Sequence, residues 1–231
     1  MLLRFTDAAV APLWTGLDLT VARGEFVVVL GPNGVGKSTL LHTIVGTRRL
    51  THGRVDVGGR VGFIPQQQMF PADLPIRGRD LVSLAAQHGV VRRSPRTGVV
   101  DKLLESVGAQ GFADKRVGLL SGGQQQLIRQ AQAFANDPQL VLADEPLLSL
   151  DLARERDTVA RLRSLVDDGS SVICVTHSIN PFLGVVNRIL YIGPKGHVVG
   201  TVEEVMRSDV LSELYGTHVD VLEAHGRMVV M

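Results

Sequence analysis

The sequence predicts an α/β fold: a P-loop-type nucleotide core on a parallel sheet, with an antiparallel β subdomain and a helical insert subdomain. Three observations predict it. Short aliphatic runs of strand length recur at 26–30, 140–143 and 171–175, the continuous pattern of strands buried on both faces. The first of them runs into a glycine-rich loop and then into a segment of helical periodicity. From Arg77 to about Ala135 the periodicity is mainly helical, and after Pro138 the mixed texture returns. We therefore expect one domain over 1–231, with 1–75 and 136–231 as core and β subdomain and 76–135 as helical subdomain.

The elements follow in order. Leu17, Leu19 and Val21 alternate as in a half-buried strand, and Ala22-Arg23-Gly24 turns into the buried strand 26–30. Gly31-Pro32-Asn33-Gly34-Val35-Gly36-Lys37-Ser38-Thr39 comes next. Leu40, Leu41, Ile44 and Val45 then keep helical spacing, with Gly46 where a helix C-terminus favours glycine. Residues 54–57 and 60–64 read as two strands joined at Gly58-Gly59, a hairpin signal. Leu81, Leu84 and Ala85 mark one helix, and Val99, Val100, Leu103, Leu104 and Val107 a second. The basic run at 92–96 between them reads as a solvated loop. Ser121 is a natural cap for a helix carrying Leu127, Ile128, Ala131 and Phe134. Beyond the strand at 140 lie a helix over 152–167 and a strand over 171–175. A hairpin over 188–192 and 197–200, a short helix over 209–215 and β-like runs at 219–222 and 228–230 complete the chain.

Composition narrows the function. The chain has 231 residues and a net charge of +1, which gives no global case for nucleic acid or an anionic lipid surface. Its one cysteine, Cys174, lies in an aliphatic run and reads as a core thiol. No apolar stretch approaches the roughly 20 residues of a membrane-spanning helix, and the N-terminus lacks a secretory pattern. A soluble, intracellular chain is the expectation. The seven histidines are scattered, and His218 and His225 lack ligand spacing with a third partner.

The run 31–39 fits G-x-x-x-x-G-K-[ST]. A loop with little side-chain bulk lets successive backbone N–H groups curl around phosphate oxygens, and the following helix aims its positive dipole end at the same anion. Lys37 reaches the β- and γ-phosphates and the Ser38 hydroxyl ligates Mg2+. Asp144 and Glu145 close an aliphatic strand: Asp144 is placed for the Mg2+ shell, Glu145 to orient and polarise an attacking water. Leu120-Ser121-Gly122-Gly123-Gln124 is, at its plainest, a capped helix start. Its backbone N–H groups also make a second anion grip, and one ATP does not need two such grips from one chain. The second grip is therefore expected to serve a nucleotide on another subunit.

The set 31–39, Gln66, 120–124, 140–145, Ser149-Leu150-Asp151 and His177, in this order along the whole chain, resembles the ATP-binding cassette (ABC) ATPases. The resemblance implies ATP with Mg2+ held by Ser38, Gln66 and Asp144, and a head-to-tail homodimer with two ATP molecules between the phosphate loop of one copy and Ser121, Gly122, Gly123 and Gln124 of the other. It implies that Gln66 senses Mg2+ and the γ-phosphate and borders the groove for a membrane partner. Gln67 and Gln68 leave the register open, and Pro65 favours Gln66. Asp151 would couple the two sites, and His177 would be the switch histidine on the γ-phosphate, with Glu145 the catalytic carboxylate. Leu127 stands where the family often has Arg, and Leu147 where it often has Thr. Near Ala8–Val10, where an aromatic side chain usually stacks on adenine, only aliphatic contact is offered; Trp14 reads as core.

Three classes compete for what the hydrolysis powers. A P-loop kinase or small switch protein needs neither the 120–124 run nor His177. Non-transport relatives in DNA maintenance or on ribosomes carry coiled-coil arms or two cassettes, and this chain has neither. The energy subunit of a transporter remains, peripheral on the cytoplasmic face of the membrane, bound to integral permease subunits and served indirectly by an extracellular solute-binding protein. Residues 70–82 and the tail segments 200–205 and 210–216 resemble the manganese/zinc import ATPases, with weaker likeness to siderophore and cobalamin importers.

Overall fold

Every strand among the described residues belongs to one of three sheets, and the largest carries the site. The structure, a computed structural model, describes residues 1–87, 98–224 and 226–231. The basic run at 92–96 and His225 lie outside the described residues.

The chain opens with β1 (Leu3–Val10), β2 (Trp14–Val21), β3 (Phe26–Leu30), α1 (Lys37–Val45), β4 (His52–Val57) and β5 (Val61–Ile64). β1, β2 and β4 form an antiparallel sheet in the order β2-β1-β4, with Leu3, Phe5, Leu17, Leu19 and Val21 turned inward. β1 was not evident in the sequence. Its alternation holds only through Leu3 and Phe5. The register then shifts between Phe5 and Ala8, around Asp7 at φ 42°, so one strand shows two phases of burial.

The expected hairpin at Gly58-Gly59 does not form. β4 pairs antiparallel with β1, whereas β5 pairs parallel with a strand 79 residues further on, Val61 opposite Leu140. The reason is burial. β4 is exposed on nearly all positions, while β5 buries Gly62 and Ile64 at the edge of the aliphatic sheet. At Gly62 a Cβ would lie 2.3 Å from the Ala133 carbonyl oxygen, so only glycine lets that edge close.

The helical segment holds α2 (Gly78–Ala85), α3 (Val99–Ser106) and α4 (Gly122–Phe134). The start of α2 is tied to the stretch between α3 and α4 through backbone bonds: Val117 N–H donates to the Ile76 carbonyl at 2.9 Å and Arg79 N–H to the Ala113 carbonyl at 2.8 Å. Val82, Leu104, Val107, Phe112, Ile128 and Ala131 form its interior. The buried face of α2 runs through Gly78 and Val82 rather than Leu84, which is half exposed. Gly78 is there for proximity, since a Cβ would sit 2.7 Å from Ile128 Cδ1.

The remainder is β6 (Leu140–Asp144), α5 (Leu152–Asp167), β7 (Ser171–Val175), β8 (Arg188–Gly193), β9 (Gly196–Gly200), α6 (Val202–Val205), α7 (Ser208–Tyr215), β10 (Val221–Ala224) and β11 (Arg227–Val230). The main sheet has the order β5-β6-β7-β3-β8-β9, parallel except for β9. Every residue of β3, β6 and β7 is buried, which explains why they read as unbroken aliphatic runs. One face packs Phe26, Val28, Val141 and Cys174 against the helical segment and Phe182; the other packs Val27, Val29, Leu142 and Ile173 against α1 and the antiparallel sheet. Cys174 is a buried free thiol, as expected of a core residue. The short α6, with its Thr201–Glu204 capping box, was not foreseen.

Candidate active site

The carboxyl ends of four neighbouring parallel strands converge, and register alone brings the functional residues level. Asp144 pairs with Val175, and Val175 with Val29. Glu145 and His177 therefore emerge one and two residues beyond the same row, Gln66 two residues beyond β5, and the phosphate loop directly after β3. The crevice outside the carboxyl ends of such a sheet is where α/β folds bind ligands.

The loop itself is built for close approach. Gly31 has φ +141°, and a Cβ there would lie 2.0 Å from the Ile192 carbonyl oxygen. Gly36, at φ 96°, caps α1, and Lys37 begins that helix. Lys37 is 7% exposed, and its Nζ donates to the Gly31 and Pro32 carbonyls at 2.8 Å each. Burial pulls its pKa below the usual lysine range, against the opposing charges of Glu145 and Asp144.

Asp144 is 2% exposed, and its Oδ1 has no hydrogen-bond partner among the described residues. Burial raises its pKa, while a hydrogen bond from Ser38 and the charges of His42 and Lys37 act the other way. A buried carboxylate oxygen without a partner, next to a serine hydroxyl and facing Gln66, suits a hard divalent cation with oxygen ligands. Among the described residues no three His, Cys, Asp or Glu side chains cluster as a metal site, so an ion here would draw its other ligands from phosphate and water.

Glu145 takes φ 49°, in the left-handed region, and its N–H donates to the Val175 carbonyl at 2.9 Å. That backbone turn directs its carboxylate to His177, whose Nδ1 bonds Oε2 at 3.0 Å. A cavity of about 330 Å3 is lined by Asn33, Gly34, Gly36, Lys37, Ser38, Thr39, Gln66, Asp144 and Glu145 together with Leu13 and Val175. The structure thus gives the lining position to Gln66. Gln67 instead lies against Gly122, and the Gln68 carbonyl accepts a bond from Arg129.

Ala8, Ala9 and Val10 are buried within β1 and do not line this cavity; the aliphatic residue that does, besides Val175 of β7, is Leu13. It comes from the connection between β1 and β2, which the sequence did not mark. Trp14 packs in the core, edge-on to Phe5, yet its Nε1 also approaches the Gly36 carbonyl at 3.4 Å.

Ser121, Gly122, Gly123 and Gln124 do not line the cavity of their own copy. Ser121 Oγ accepts from the Gln124 N–H, and the Gln124 side chain accepts from the Ser121 N–H, a reciprocal cap. Gly123 lies against the Ser149 carbonyl, 2.8 Å from where a Cβ would be. Asp151 caps α5 by accepting from the Arg154 N–H at 3.0 Å, and does not line the cavity either. Sequence reasoning missed a lacing between α4 and the segment after Gln66. Gln125 Oε1 accepts from the Phe70 N–H at 2.9 Å, and the Arg129 guanidinium lies 4.2 Å over the Phe70 ring.

A family model described as "ABC transporter" matches residues 14–148. The chain belongs to the ABC transporter family. This ABC chain is 31% identical over 218 residues to the zinc transport system ATP-binding protein TroB of Treponema pallidum, covering 89% of this chain and 82% of that protein. The manganese transport system ATP-binding protein MntB of Bacillus subtilis is 29% identical over 89% of this chain and 87% of its own length. An iron importer subunit of Streptomyces avermitilis, a glutamate one of Corynebacterium glutamicum and a taurine one of Pseudomonas aeruginosa match at 38%, 33% and 36% identity. They cover 75%, 77% and 79% of this chain and 53%, 79% and 73% of their own lengths. Among solved structures, an inward-facing transporter assigned to the metal-chelate type superposes with a TM-score of 0.83 at 25% identity, over 99% of this chain and 95% of that one. A dimeric ATP-binding cassette in a post-hydrolysis state, bound to ADP and Pi, gives 0.73 at 27% identity, over 82% and 93%. The ABC chain binds and hydrolyses ATP. Among its described residues no helix is long and apolar enough to cross a membrane.

Proposed function

We propose that this ABC ATPase powers import of a divalent metal ion, manganese or zinc, as a head-to-tail pair docked on membrane permease subunits at the cytoplasmic face. The observation that carries the catalytic reading is the convergence of Lys37, Ser38, Gln66, Asp144, Glu145 and His177 from four separate segments onto one crevice. Residues 31–39 cradle the phosphates, and Lys37 leaves the loop carbonyls to neutralise the γ-phosphate. Ser38, Gln66 and Asp144 hold Mg2+, which when bound offsets charge on the phosphate oxygens. Glu145 takes the proton of the attacking water, and His177 orients Glu145 and contacts the γ-phosphate.

The placement of Ser121–Gln124 outside their own copy's cavity supports a second copy as the source of the other phosphate grip, and the dimeric relative agrees with it. Asp151, at the start of α5, would couple the paired sites. Residues 76–135 act as a helical subdomain that carries the grip and meets the permease, and an extracellular solute-binding protein supplies the cargo indirectly. The zinc and manganese relatives favour the metal cargo. A metal-chelate importer is the second reading, favoured by the structural match.

The test is to purify the chain from membranes with its permease, reconstitute the complex in vesicles and measure ATP-dependent uptake of 54Mn2+ and 65Zn2+. Uptake of either supports the reading. Uptake of an iron chelate, glutamate or taurine instead replaces the cargo, and loss of membrane association replaces the transport class.

A further inference from the structure

We infer that Asn180 is a positioning residue for His177, and that the C-terminal hairpin β10–β11 is what it is anchored to. The inference rests on the role given to His177 above.

Asn180 lies three residues beyond His177, on the connection leaving β7. Its side-chain amide makes two backbone bonds to one residue of the tail: Nδ2 donates to the Met228 carbonyl at 2.9 Å, and Oδ1 accepts from the Met228 N–H at 2.7 Å. The amide thereby imitates the edge of a neighbouring strand.

Met228 is free to be gripped because of its register. Asp220 and Met231 exchange both backbone bonds, at 3.0 and 2.9 Å. In an antiparallel ladder bonded and non-bonded pairs alternate, so Leu222–Val229 is a bonded pair and Glu223–Met228 is not. The polar groups of Met228 therefore point out of the hairpin, towards Asn180.

The clamp lies against the site. His177, Asn180, Met228, Val229, Pro32 and Asn33 all line a second cavity of about 510 Å3, so hairpin and phosphate loop face each other across the histidine loop. The His177 side chain is 70% exposed, and Glu145 is its one hydrogen-bond partner among the described residues. With little packing around the imidazole, its direction is set by the bond to Glu145 and by the backbone that carries it. A two-stranded hairpin is marginal alone. This one is tied by Asn180 and, at its base, by Val221 N–H to Ser208 Oγ at 2.9 Å.

The experiment is steady-state ATP hydrolysis by the whole chain carrying Asn180→Ala, Met228→Pro, both, or either combined with His177→Ala. Met228→Pro removes the N–H that Asn180 accepts, at a position where the hairpin does not use it, but also fixes φ and deletes a side chain packed on the core; Met228→Ala, which deletes the same side chain and keeps the N–H, separates these effects. We expect Asn180→Ala and Met228→Pro each to lower kcat about tenfold, with KM for ATP within about twofold, because a misplaced group acts on the chemical step. The double variant is expected to be no slower than the slower single one. In the His177→Ala background neither change slows the residual rate further. Full kcat in Asn180→Ala or Met228→Pro, a rise in KM alone, or an effect that multiplies with that of His177→Ala overturns the inference and leaves the site assignment standing. If Asn180→Ala folds poorly, Met228→Pro decides by the same criteria. Normal hydrolysis by His177→Ala removes that residue from the site, and the inference with it.

Discussion

Glu145 and His177, 32 residues apart in sequence, share a 3.0 Å hydrogen bond across the ends of two adjacent strands. The bond exists because Glu145 leaves β6 at φ 49°, a conformation that costs a non-glycine residue on the order of 1–3 kcal/mol. Such strain persists where the surroundings hold it, and here the Val175 carbonyl does so through the Glu145 N–H. Changing Glu145 to Gln keeps size and shape but removes the base. ATP binding, measured by equilibrium fluorescence, is expected to persist while turnover falls at least about a hundredfold. Normal turnover would exclude Glu145 from catalysis.

Gly31 should not tolerate a methyl group. Its φ of +141° and the 2.0 Å approach to the Ile192 carbonyl combine strain with a clash against backbone, which cannot give way as a flexible side chain would. Gly31→Ala is expected to destabilise the fold by at least about 1–3 kcal/mol, and to weaken ATP binding more than that loss explains. Denaturant unfolding and a binding titration, compared side by side, measure both.

Asp144 carries a conflict between stability and function. Burial raises its folded-state pKa above the unfolded value, so its ionised form is penalised in the fold. That penalty is full above the folded pKa and fades as pH falls towards the unfolded one. At neutral pH without nucleotide, Asp144→Asn should therefore raise the melting temperature, and the additional rise that Mg2+ gives over ATP alone should vanish. A lower melting temperature for the metal-free variant would contradict the account.

The proposed pairing of two phosphate grips from different copies predicts complementation. A Lys37→Ala copy lacks the loop lysine and a Ser121→Arg copy blocks the opposite grip, so each alone should hydrolyse ATP at a few per cent of normal or less. Mixed in equal amounts, they should form some pairs with one intact crevice. Activity should reappear, up to about a quarter of the wild-type rate for random pairing. A mixture as inactive as its parts, with pairing shown by sedimentation, would refute the shared site.

The candidate residues that the structure brings to one crevice were legible because the chemistry expected of them is local. A phosphate loop must be glycine-rich next to its lysine, and a metal-binding carboxylate must end a buried strand. Both conditions are met within a few residues, at 31–39 and 140–145. The buried strands were legible too, since burial on both faces leaves mainly aliphatic residues. Pairing was not legible. Gly58-Gly59 looks like a hairpin turn in any sequence, and only the edge of the aliphatic sheet drew β5 away to β6. The bulge at Asp7 hid β1, and Leu13 at the cavity comes from a connection with no pattern of its own.

By itself the sequence determined which side chains are candidates to meet phosphate and which runs are buried, because those are demands on residue type over short spans. Tertiary structure decided which strands adjoin, which of three glutamines lines the crevice, and that the C-terminal hairpin grips Asn180. Those outcomes depend on register and proximity between segments as far as 168 residues apart, such as Thr20 and Arg188, and no local pattern encodes them.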